Sequence, residues 1–186
     1  MAKSERPGVC EDLRRLHHGI EEELPRLSAL LGAARRDSPV LEDLLDLLAG
    51  LHSKLMLSAD LASAHLFPAL EPWLGGANGP LARAGLAHAK LRLRFRQYWA
   101  GTERLLFAPQ SDRAERRILV QKGHELIEAI EEVLGLEDEY IFRVAEKVLD
   151  PASAAGVGER IRAELQGAAG KETAARLTRP APKPER

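Results

Sequence analysis

An all-α, up-down-up-down antiparallel four-helix bundle with a short C-terminal helix is the fold this sequence predicts, on three observations. Apolar residues recur at steps of three and four over four long segments, the spacing that gives a helix one apolar stripe. Short stretches rich in Gly, Pro and small polar residues separate the segments, and short connections make neighbouring helices antiparallel. No stretch shows the apolar–polar alternation of a strand. The 186 residues suffice for one core, expected over residues 8–150, with the short helix over 151–167 and a disordered, Pro- and Ala-rich charged tail over 168–186.

The first segment, residues 8–34, carries Val9, Leu13, Leu16, Ile20, Leu24, Leu27 and Leu31 on one stripe. Pro25 lies inside it and predicts a bend or local break, because it removes a backbone donor and clashes with the preceding turn. Ser38 and Pro39 read as an N-cap and first helical residue for the second segment, whose Leu41, Leu44, Leu48, Leu51, Leu55, Leu66 and Leu70 lead to the break Gly75–Pro80. Pro68 is expected to end or kink it. Pro80 opens the third segment, with Leu81, Ala84, His88, Leu91, Phe95, Tyr98, Thr102 and Leu105 in three-four alternation. Asp112 and Glu115 suggest a capping box for the fourth, which bears Leu126, Ile130, Val133, Ile141, Val144 and Val148 and stops before Asp150 and Pro151.

Charge and composition exclude more than they specify. A net charge of -1 and a basic strip on the third helix without Gly-rich loops or interleaved aromatics give no sign of nucleic-acid binding. Cys10 is the only cysteine, so neither an internal disulfide nor a thiolate metal cluster is available within one chain. The N-terminal residues have no signal-peptide core, and no apolar run is long enough for a membrane span. A cytoplasmic, non-membrane protein is expected. No nucleophile–base pair, phosphate loop or paired acid–base carboxylates point to an enzyme.

Four polar residues fall on the inward stripes. His17 lies between Leu13 and Ile20, His52 between Leu48 and Leu55, His88 between Ala84 and Leu91, and Glu137 four residues from both Val133 and Ile141. A buried carboxylate needs a cation, an imidazole or a donor facing it. Bundle cores are where such sets hold metals, provided that the ligands share a layer. The register of the second helix is open by several turns, since Ser58, Ala59, Ala62 and Ser63 further along share the face of His52.

These residues, together with the sequence AHLFPAL over Ala64 to Leu70 and LEDEYIF over Leu136 to Phe142, resemble the hemerythrin-like, HHE cation-binding family over residues 8–150. The resemblance implies a four-helix bundle around a non-haem di-iron site that binds O2 or NO, handles iron or senses it. His17, His88 and Glu137 match the family's ligands on the first, third and fourth helices. Val133 stands where a histidine is expected, and the second-helix ligands fall near Ser58 or Ala59 and near Ala62 or Ser63; His52 fits only after a slip of nearly two turns. The expected metal set is therefore His17, His52, His88 and Glu137. Three arrangements stay open: one cation in a reduced site, a hydrogen-bonded polar layer without metal, or another cofactor such as haem. The functional expectation is cation binding or sensing; the alternative is a metal-free interaction or regulatory module.

Overall fold

The computed structural model describes residues 8–34, 40–108 and 113–178, with side chains as far as residue 168. It is all-helical, and no strand occurs among the described residues. The helices are α1 (Glu11–Glu21), α2 (Leu24–Ala34), α3 (Val40–Leu61), α4 (Phe67–Leu74), α5 (Pro80–Phe107), α6 (Arg113–Leu136), α7 (Phe142–Val148) and α8 (Pro151–Thr178). The caps expected at Ser38 and Asp112 lie outside the described residues.

Each proline leaves its mark. The first segment breaks at Glu22 and Glu23, where the Glu23 amide turns back three residues to the Ile20 carbonyl at 3.0 Å and α2 restarts with Pro25 in its first turn. In the second segment, Pro68 does not end the helix. A π-turn over Ala62–Leu66 precedes it, closed by the Phe67 amide donating five residues back to Ala62, and α4 continues the same run to Leu74. The chain then reverses through Gly75 to Gly79, with Gly76 at φ 105°, a conformation that favours glycine.

A second π-turn, Glu137–Ile141, joins α6 to α7 and is closed by the Phe142 amide donating to the Glu137 carbonyl. It adds a residue to one turn, so the buried face beyond it moves on by one. Phe142 and Ala145 are buried, whereas Val144 and Val148, expected on the stripe, are only partly covered.

The core is two apolar clusters. One is built from α2, α3, α5 and α6 with the end of α1, and has Leu27, Leu48, Phe95 and Ile130 at its centre. The other joins the start of α1, the end of α3, both π-turns, α4, the start of α5, α7 and the start of α8 around Leu13, Leu66, Phe142 and Ile161. Among the long helices, α5 packs on α6 and α3, α2 packs on α6 and α3, and α1 packs on α3.

The C-terminal helix is longer than the sequence suggests and begins at the residues read as a stop. Asp150 caps it, its Oδ1 accepting from the Ala152 and Ser153 amides at 2.9 and 3.0 Å, and Pro151 takes the first helical position, where a missing N–H costs nothing. It runs to Thr178, through much of the stretch expected to be a disordered tail; residues 179–186 lie outside those described. Val157 and Ile161 anchor it, and Arg162 approaches Asp12 at 3.5 Å.

Candidate functional site

A polar layer separates the two apolar clusters. Going along the chain, His17 lies between Leu13 of one cluster and Ile20 of the other, Ser58 between Leu55 and Leu61, His88 between Ala84 and Leu91, and Glu137 between Val133 and Ile141. All four are almost completely buried. Three of the residues expected to meet do meet: Glu137 Oε2 is 3.3 Å from His17 Nε2, and Glu137 Oε1 is 3.3 Å from His88 Nε2.

The fourth does not. His52 lies six residues before Ser58, about 9 Å along the helix axis, and so belongs to a different layer. Its ring is tilted against Phe95 at 5.1 Å between centroids, beside Arg96 and Trp99. Burial, with Arg92 and Arg96 adding to it, holds its pKa below the ordinary value, so it packs as a neutral ring. Ser58 occupies the layer in its place.

His17 is the hub. Its Nε2 contacts Ser58 Oγ at 3.0 Å, and its Nδ1 contacts Asp138 Oδ2 at 2.8 Å. Its ring stacks on Phe142 at 5.2 Å, and Arg14 lies over the same Phe142 ring. Burial by itself would push His17 towards the neutral form, but the hydrogen bonds to Asp138 and Glu137 outweigh it and raise the pKa to about 9. At neutral pH the ring is an imidazolium, donating from Nδ1 to Asp138 and from Nε2 to the Ser58 hydroxyl, with the Glu137 carboxylate 3.3 Å from Nε2. Glu137 responds in the opposite sense. Desolvation would raise its pKa, yet the facing His17 and His88 hold it below the usual carboxylate range.

Asp138 was not foreseen. On regular α-helical spacing it stands about 100° round from Glu137, off the inward stripe. The π-turn that begins at Glu137 widens the helix there, and both carboxylates reach His17. A π-turn has no sequence signature comparable to an apolar stripe, although the acidic pair opposite an inward histidine was a usable hint.

His88 is held differently. Its ring stacks nearly parallel to Phe67 at 5.9 Å. Neither of its nitrogens has an aligned hydrogen-bond partner, and the same is true of Glu137 Oε1. These orphaned atoms border a cavity of about 10 Å3 lined also by Met56, Ser58 and Val133, just enough for one water molecule.

The layer does not fit a di-iron centre. Val133, Ser58 and Ala62 stand where the resemblance calls for ligands, and none can donate an imidazole or carboxylate. Among the described residues, no three His, Cys, Asp or Glu side chains converge so as to hold a metal ion. Cys10 offers no substitute, since it is buried and its thiol is pushed up to about 12, chiefly by burial.

No helix among the described residues is long and apolar enough to cross a membrane. No family model matches the chain, and no curated protein or solved structure matches it.

Proposed function

We propose that this chain is a hemerythrin-like bundle with its long helices running up-down-up-down, and that it acts as a metal-free interaction or regulatory module rather than as an enzyme or oxygen carrier. The observation that carries this reading is the state of His17. Both of its nitrogens are engaged within the chain, by Asp138 on one side and by Ser58 and Glu137 on the other, at the position where the family resemblance would put a metal. A buried ion pair replaces the bridging metal and joins α1 to the fourth helical run. It gives the two apolar clusters a fixed register, since a slip of either helix would leave a buried charge unpaired.

Cation binding keeps one observation in its favour. His88 and Glu137 Oε1 lack aligned partners beside a small cavity, and a single cation bound by these two groups would satisfy them. Elemental analysis after anaerobic iron(II) loading and desalting separates the readings, together with melting in the presence and absence of a chelator. The metal-free module retains no stoichiometric metal and melts identically in both, since a ligand that binds only the folded state must stabilise it. One metal per chain, lost in His88→Ala, would establish the cation site instead.

A further inference from the structure

A groove runs the length of the seam between α5 and α6 on the outside of the molecule. It consists of two adjoining cavities of about 430 and 290 Å3 that share Arg94. Residues of α5 and α6 alone line it. The seam is open because small residues meet there, among them Ala87, Gly101 and Ala129. Among the described residues, three exposed large apolar side chains lie on α5 or α6 near the groove: Leu86 at 56 %, Leu93 at 51 % and Ile118 at 56 %.

We propose that this face is the two-fold interface of a homodimer, with a second copy of the chain as its occupant. The two sides of the groove differ in charge. The α5 rim carries Arg83, Lys90, Arg94 and Arg104, while the α6 rim carries Glu115, Glu125 and Glu132 with one cation, Lys122. A two-fold axis that lies in the interface and runs along the groove, parallel to the helices, lays α5 of one protomer over α6 of the other, so the basic rim meets the acidic one twice. This is the self-complementarity that an isologous contact requires.

The register follows from the antiparallel seam. Gly101 sits level with Leu119, and the cavity near Leu86 is closed on the α6 side by Ala129, Val133 and Leu136. Such an axis keeps every residue at its own level, so Arg94 comes within a turn of Glu125 of the partner subunit, Arg104 within a turn of Glu115 of the partner subunit, and Lys90 within a turn of Glu132 of the partner subunit. Among the described residues, none of Lys90, Arg94, Arg104, Glu115 and Glu132 is in an ion pair within the chain. One like-charge approach remains, Arg94 about a turn from Lys122 of the partner subunit, and the Lys122 ammonium is already held 3.1 Å from Glu125. The face from Arg83 to Leu105 is about 33 Å long and two helices, about 20 Å, wide. That is about 660 Å2 on each protomer, which brings the pair into the range of a stable standard-size interface. The inference is independent of what the buried polar layer does.

Sedimentation velocity on the full chain, from about 1 to about 100 µM, should show a monomer–dimer equilibrium. Leu86→Glu or Ile118→Glu should weaken association at least about tenfold with unchanged helicity, because both side chains are already half in solvent. Arg104→Glu should weaken it too, and Arg104→Glu with Glu115→Arg should restore it, since the swap recreates the same pairs. A monomer at every concentration, or a dimer that survives both glutamate substitutions with unchanged helicity, overturns the proposal.

Discussion

Raising the pH from 7 towards 9 should weaken the fold through a single buried proton. His17 titrates near 6.5 in an unfolded chain and at about 9 in the folded one. A group whose pKa is raised on folding gives its full stabilisation below the unfolded value and loses it as pH climbs through the folded value. Between these two pH values the native state holds a proton that the unfolded state has lost, so stability should fall by about 1.4 kcal/mol per pH unit at most, and by about 3 kcal/mol over the whole window. The lowered pKa of His52 acts below about pH 6.5, in the opposite direction, and the raised Cys10 thiol adds a loss of the same sign only as pH comes within about one unit of its ordinary 9.0. Urea unfolding at half-unit steps from pH 6.5 to 9 measures the slope, and His17→Gln should flatten it. A level profile across this range in the wild type, or an NMR titration of His17 with a midpoint near 6.5, would refute the imidazolium account.

Four further outcomes follow from the same contacts. Asp138→Asn should lower the His17 midpoint and narrow the pH window, read by the same titration, because it removes the largest interaction raising that pKa. Glu137→Leu alone should cost about 3–5 kcal/mol in urea unfolding, while Glu137→Leu combined with His17→Leu should recover much of the loss, since breaking one side of a buried pair is worse than replacing both. Gly123→Ala should destabilise by about 1–3 kcal/mol despite its better helix propensity, because the new Cβ would overlap the Leu31 methyl groups and lie 2.9 Å from Tyr98 Oη; thermal melting measures it. Native Cys10 should resist thiol reagents at pH 8 and react fully once urea unfolds the chain.

The site was legible in part, for reasons that differ from residue to residue. His17, His88 and Glu137 were found because each stands on an unbroken apolar stripe, and the side chain of such a residue must enter the core with its neighbours. His52 satisfies the same test and yet belongs elsewhere. Periodicity says which face a residue occupies but not which layer, and the layer depends on how the second helix slides against its neighbours. Ser58 holds the position, and nothing about a serine among alanines marks it as a histidine's partner. Asp138 was hidden by the assumption of regular α-helix through a π-turn.

By itself, the sequence determined what local chemistry controls: helical segments from the three-four spacing, the break near Pro25, the turn at Gly75 to Gly79, and the inward placement of three polar side chains. The tertiary structure decided what depends on contacts between segments. It set the vertical register that puts Ser58 rather than His52 in the polar layer, and the extra residue in the turn at Glu137 that brings Asp138 to His17. It also decided the charge of His17, because a histidine's proton is fixed by the balance between burial and the carboxylates around it, and those carboxylates lie 120 and 121 residues away in the chain.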